Sequence, residues 1–216
     1  MVSPGKYLAG SLQSGCTANL TGAQYKLVNE MQKRIGRKIK MRKVVLFIAM
    51  SLDGYLADSE GKVKWLGGQG NAEEMIDSYS EFVEHVDTVV MGWNTYYQVI
   101  TELSPEEWVY ANLESYVITH RDCSSAERIR FTGEDPCSLV RELKEKDGKD
   151  IWICGGADIV RQLMVEDLID MYYISVIPML LGKGIRLFQE SGRAIPLKLV
   201  KTQSYNGITD LVYEHR

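Results

Sequence analysis

The sequence predicts an α/β fold with three layers, α/β/α, around a mixed, mostly parallel sheet that ends in a C-terminal antiparallel hairpin. Three observations carry this. Val44 to Met50 is an unbroken apolar run, as expected of a strand buried on both faces. Strand-like runs then alternate with segments of helical period as far as Ile177. Finally, LKLVKTQSY and ITDLVYEH flank Asn206-Gly207, the strongest short-range hairpin signal.

The elements follow in order. Residues 1–22 are rich in Gly, Ser and Thr and read as loop. Residues 23–40 have the spacing of a basic amphipathic helix through Leu27, Met31 and Ile35. A domain start fits Met41, so residues 1–40 are an N-terminal extension and residues 41–216 one domain. Whether the extension is idle or a targeting or partner-binding helix stays open. Residues 72–86 predict a helix through Met75, Tyr79, Phe82 and Val86, and Thr88 to Met91 a short strand. Trp93 to Ile100 reads as helix and Tyr116 to Thr119 as strand. Pro136 and Ser138 open a helix that runs to about Lys146. Ile151 to Cys154 is a strand, Asp158 to Val165 a helix, and Met171 to Ile177 a strand.

Composition narrows the function classes. A chain of 216 residues, 45% hydrophobic and 25% charged, can bury one sizeable core. No apolar run approaches the roughly 20 residues of a membrane span, and the first residues lack the apolar centre of a signal peptide. Cys16, Cys123, Cys137 and Cys154 are scattered without a CxxC pair, which argues against a zinc site or a disulfide framework. A cytoplasmic location with no membrane partner is the expectation. Residues 1–40 hold seven Lys or Arg against Glu30, a net +6; with −4 overall, residues 41–216 carry −10. An acidic domain is a poor general binder of nucleic acid, so an anionic ligand must be held by local groups.

In a parallel sheet, ligands bind beyond the carboxyl ends of the strands. Those ends carry Ser51-Leu52-Asp53-Gly54, then Gly92-Trp93-Asn94-Thr95, then His120-Arg121-Asp122, then Gly155-Gly156-Ala157-Asp158. Glycine at a strand-to-helix junction lets a phosphate reach the backbone N–H groups of a helix start. It is also ordinary turn chemistry. Two such junctions with a His-Arg pair at a third strand end point to a polyanionic ligand such as a dinucleotide. The GxGxxG fingerprint is absent.

The series SLDG at 51–54, MGWNTY at 91–96, VITHRD at 117–122, CGGADIV at 154–160 and PMLLGKGIRLF at 178–188 resembles the dihydrofolate reductase-like superfamily. It is most similar to the branch that contains the reductase domain of bacterial riboflavin biosynthesis, the RibD C-terminal domain. The resemblance runs from residue 41 to 216 and implies hydride transfer from NADPH to a small-molecule substrate. It implies that Gly92, Thr95, Gly155, Gly156 and Ala157 hold the cofactor's phosphates. Thr119, His120 and Arg121 would lie near the adenosine 2′-phosphate, Gln162 beside the adenine, and Ala49 and Met50 on the nicotinamide side. Asp53 would contact the substrate, as proton source or as a carboxylate that holds its N–H or O–H groups; an Asp-Gly turn is the plain alternative. Trp65 reads as a lid over the substrate or as core. The resemblance also implies, as one option, a homodimer.

The chain departs from the family at three places. Trp93 stands where the phosphate helix usually carries Arg, which removes one cation and leaves the choice of NADPH over NADH open. Trp65 is followed by Leu66-Gly67-Gly68, without the Leu-Pro and acid of a true dihydrofolate reductase. Glu73, Glu74 and Asp77 follow later and read as acidic first turns of a helix. Val160 stands where true dihydrofolate reductases carry an aromatic beside the nicotinamide. A riboflavin-precursor-type aminopyrimidine therefore ranks before dihydrofolate as substrate, and a non-catalytic dinucleotide-binding protein is the competing class. Cys154 reads as a buried small residue. His85, His120 and His215 have no metal-site spacing, so no metal is expected. Lys183 and Arg186 read as solvated charge.

Overall fold

The computed structural model describes residues 42–70, 76–190 and 192–216. The extension over residues 1–40, the first part of the helix predicted from residue 72, and Glu73, Glu74 and Met75 lie outside the described residues.

Among the described residues, ten strands and four α-helices follow one another: β1 Val44–Ser51, β2 Tyr55–Ala57, α1 Ser78–Val83, β3 Val86–Gly92, α2 Trp93–Gln98, β4 Glu114–Ile118, β5 Ile129–Thr132, α3 Pro136–Glu145, β6 Asp150–Gly155, α4 Ala157–Val165, β7 Met171–Ile177, β8 Ile185–Arg186, β9 Leu197–Tyr205 and β10 Ile208–His215. Eight strands make one sheet in the order β5-β4-β3-β6-β1-β7-β10-β9. Neighbours are parallel from β5 to β7, and β10 is antiparallel to both β7 and β9. Strands β2 and β8 form a separate two-stranded ribbon.

Alternation along β1 shows how the sheet builds two cores. Val44, Leu46 and Ile48 face one side, with Val140 and Leu143 of α3 and Val160 and Leu163 of α4. Val45 and Phe47 face the other, where Phe47 stacks on Phe82 of α1 with centroids 4.2 Å apart. Helices cover both faces, which is the three-layer architecture. Local signals explain the helix starts. Asp135 accepts a hydrogen bond from the Ser138 amide at 2.8 Å, and Pro136 occupies the first turn. Asp77 caps α1 in the same way, through the Ser80 amide at 2.9 Å.

The hairpin spans Leu197–Tyr205 and Ile208–His215, and Asn206 and Gly207 both take positive φ, 44° and 73°, as a tight type I′ turn requires. The helix over 72–86 ends early: α1 stops at Val83, and Val86 opens β3 with 2% exposure. β-branched Val86 gains more as an inward strand position than as a fourth helical contact. The short strands β2, β5 and β8, of three, four and two residues, give too little periodicity to be read from sequence. No helix among the described residues is long and apolar enough to cross a membrane.

Candidate functional site

The order β4-β3-β6-β1 places four strand ends side by side. Each carries a residue singled out in the sequence. Gly92 ends β3 and caps α2; Gly155 ends β6, and Gly156 caps α4. The two junctions touch. A Cβ on Gly92 would stand 3.8 Å from the Gly156 nitrogen and 3.3 Å from Cδ1 of Ile159. A Cβ on Gly155 or Gly156 would in each case stand 3.8 Å from the Thr95 hydroxyl. Gly155 has φ of 119°, outside the range of other residues, and the Gly155-Gly156 peptide is cis. Gly92, Thr95, Gly155, Gly156 and Ala157 thus form one cradle of backbone N–H groups and a hydroxyl at two helix starts.

At the end of β4, level with Gly92, lies the third group. The Thr119 hydroxyl accepts a hydrogen bond from the Arg121 amide at 3.1 Å, which curls the segment back on itself. His120 and Arg121 are exposed. The Arg121 guanidinium lies 4.9 Å from the centre of the Trp93 ring. Trp93 therefore holds a cation from the neighbouring strand end by a cation–π contact.

The fourth strand end is β1. Asp53 is engaged within the chain: the Ser51 hydroxyl donates to its Oδ1 at 2.6 Å, the Leu181 amide to Oδ1 at 3.1 Å and the Gly182 amide to Oδ2 at 2.7 Å. The Ser51 bond first, then the backbone amides of Gly182 and Leu181, hold its carboxyl at about 2, partial burial opposing them. A carboxyl so far below neutrality is ionised above about pH 4 and holds no proton to give there. Of the two roles open to it, holding donor groups is the one its charge suits. The donors it holds anchor the 178–182 segment, which also accepts from the Leu52 amide through the Met179 carbonyl at 2.9 Å.

Three residues singled out in the sequence stand elsewhere. Met50, unlike Ala49, points to the α4 side of the sheet and lines an apolar cavity of about 320 Å³ with Met164, Tyr172, Ile174 and Phe188. Strand alternation separates the two. Trp65 lies in a 3₁₀ turn over Lys64–Gly67, its indole N–H donating to the Lys62 carbonyl at 3.2 Å. Gln162 lies a turn into α4 and donates to Asp158 at 2.7 Å. The burial of Cys154 pushes its thiol up to about 11, which makes it a poor nucleophile.

One group escaped the sequence reading. Beside Ala49, across β7 and β10, the side chains of Tyr173, Ser175, Gln203 and Tyr205 close on Asp210, which is wholly buried. The available signal was an acid at an inward position of the alternating strand Ile208-Asp210-Val212.

Comparison with known proteins agrees with this architecture. The profile of the RibD C-terminal domain matches residues 42–213. The Bacillus subtilis (strain 168) protein named "Uncharacterized protein YwjB" is 38% identical over 178 residues, covering 80% of this chain and 97% of that protein. A Shewanella sp. PV-4 protein named "Putative riboflavin biosynthesis protein" has a crystal structure that superposes with a TM-score of 0.71 at 28% identity, over 81% of this chain and 99% of that one. A dihydrofolate reductase of Enterococcus faecalis superposes with a TM-score of 0.57 at 17% identity, over 81% of this chain and 96% of that one, and shares the fold.

Proposed function

The chain belongs to the RibD C-terminal domain family, and from that premise we propose that it is an NADPH-dependent reductase that transfers a hydride to a small heterocycle. The carrying observation is the cradle at the ends of β3 and β6, where two glycine junctions and Thr95 meet. The residues present fit a dinucleotide. A Cβ at Gly92 would press on Cδ1 of Ile159 at 3.3 Å and stand in ordinary contact, 3.8 Å, with the Gly156 amide, on the ground a pyrophosphate needs to reach those N–H groups. The group, when bound, supplies the hydride.

The chain's own residues do the rest. Gly92, Thr95, Gly155, Gly156 and Ala157 hold phosphates with backbone N–H groups, a hydroxyl and the positive ends of α2 and α4. Thr119, His120 and Arg121 lie at one end of the cradle, and Arg121 supplies there the cation that Trp93 lacks. Gln162 stands on α4 past the phosphates, at the adenine end. Ala49, on the α1 face of the sheet, marks the nicotinamide end. Asp53 holds the 178–182 segment that closes the site beyond β1. The first-choice substrate is 5-amino-6-(5-phosphoribosylamino)uracil or a related aminopyrimidine, with dihydrofolate as the alternative. Trp93 in place of a phosphate-binding Arg is what favours a second reading, a dinucleotide-binding protein without turnover.

The test is NADPH oxidation by the purified chain with each of the two substrates. Oxidation is expected with the aminopyrimidine. Arg121→Ala is expected to raise KM for NADPH at least about 10-fold, the worth of one charge-assisted bond to phosphate, with little change for NADH. NADPH binding without oxidation of either substrate would favour the second reading.

A further inference from the structure

Asp210 is the only acidic side chain buried among the described residues, with 0% exposure. It is level with Ser175 on β7, which is level with Ala49 on β1; on its other side it is level with Gln203 on β9. Its Oδ1 accepts from the Ser175 hydroxyl at 2.6 Å and from Tyr205 at 3.3 Å. Its Oδ2 accepts from Tyr173 at 3.0 Å and from the Gln203 amide at 2.9 Å. A buried carboxylate requires such donors. The question is what the donors present on their other side.

All four donors are partly exposed, and the ladder leads from Asp210 through Ser175 to Ala49. A hydroxyl has a single proton. With that proton drawn inward to Asp210, each hydroxyl oxygen presents only lone pairs; the Gln203 amide takes one on Tyr173 at 3.1 Å, and a second remains for a ligand. Burial, reinforced by the Asp210 charge, pushes the phenols of Tyr173 and Tyr205 up, so both keep their protons at neutral pH. The Ser78 hydroxyl at the start of α1, 3.3 Å from the Tyr205 hydroxyl, joins the helix to this wall. Phe47, beside Ala49 on the same face, has its ring centre 4.7 Å from that of Tyr173 and 6.4 Å from that of Tyr79, which is itself exposed. Flat aromatic surface and a row of acceptors therefore meet beside Ala49.

We propose that Ser175, Tyr173 and Tyr205, oriented by Asp210, form an acceptor wall of the substrate site that selects a flat heterocycle by its N–H donors, as in an amino-substituted pyrimidine or pterin. Asp210 is then a positioning residue. The proposal deepens the reductase reading and rests on it for the place of the reacting ring beside Ala49.

The probes are 5,6-diaminouracil and uracil, the same ring with and without two amino groups. Each is titrated calorimetrically into the full chain, with and without NADP⁺, and NADPH binding is measured on the same samples. The wild type is expected to bind 5,6-diaminouracil at least about 10-fold more tightly than uracil, since a wall of acceptors built for the amino groups loses those donors in uracil, which keeps only its two ring N–H groups. Ser175→Ala and Tyr205→Phe are expected to bring that ratio within about threefold, with NADPH affinity and Tm near those of the wild type. A merely structural role would leave the ratio alone. Asp210→Asn is expected to act likewise; should it fail to fold, the two hydroxyl variants still decide. Equal binding of the probes by the wild type, binding of neither, or a ratio unchanged in both hydroxyl variants overturns the proposal. Discrimination without NADPH binding would keep the wall and remove the reductase reading; NADPH binding without discrimination would do the reverse.

Discussion

Gly156→Asp is expected to weaken NADPH binding at least about 100-fold while the domain still folds. Gly156 has φ of −85°, which any residue adopts, and a Cβ there would meet nothing closer than the Thr95 hydroxyl at 3.8 Å. The added side chain is therefore tolerated by the fold. It stands, however, at the N-cap of α4, where the phosphates of a dinucleotide would rest. Two like charges about 4 Å apart repel by about 4 kcal/mol at the effective dielectric of a protein surface. A 100-fold loss needs only about 2.7 kcal/mol. Gly156→Ala, which adds bulk without charge, is expected to lose far less. Fluorescence titration of both variants, with circular dichroism as the check on folding, measures the effect. NADPH affinity unchanged in Gly156→Asp would place the phosphates elsewhere.

Gly184→Ala is expected to destabilise the domain by about 3 kcal/mol, through strain at a positive φ and overpacking against backbone. Gly184 has φ of 154°, and a Cβ there would fall 2.1 Å from the Ala57 carbonyl oxygen. Backbone, unlike the end of a flexible side chain, cannot turn aside. The clash lies at the β2–β8 ribbon, where Ala57 faces Ile185. That ribbon carries the segment held by Asp53 through the Leu181 and Gly182 amides, so the anchoring of the segment is expected to loosen as well. Urea unfolding measures the loss; a change below about 1 kcal/mol would mean that the ribbon separates freely from the main sheet.

Much of this arrangement was legible in the sequence because local chemistry and tertiary context agree there. Asn206-Gly207 can form its tight turn only with positive φ, and the strands on either side have the predicted bounds. The apolar run of β1, Val44 to Met50, reads as a strand buried on both faces, and it is one. The glycines at 92, 155 and 156 marked strand-to-helix junctions, and the sheet order brings those junctions together. What was not legible depends on contacts far apart in sequence. The stacking of Arg121 on Trp93 joins two strand ends. The donors to Asp210 come from β7 and β9, and no periodicity in Ile208 to His215 says which residues face it. Asp53 reads from sequence as a substrate contact or an Asp-Gly turn, and neither reading announces the amides about 130 residues further along the chain that its oxygens meet. The resemblance implies both Ala49 and Met50 on the nicotinamide side, whereas the strand sends adjacent side chains to opposite faces and Met50 lies toward α4.

The most direct measurement is a titration of the purified chain with NADPH and with NADH, followed by quenching of tryptophan fluorescence. Trp93 is well placed to report, since it follows Gly92 and lies against Arg121. Saturable NADPH binding on the order of micromolar, with NADH weaker and the difference reduced in Arg121→Ala, is the expected result. No binding of either dinucleotide up to millimolar concentration would contradict the assignment of the β3 and β6 strand ends as a phosphate cradle, and with it the reductase reading.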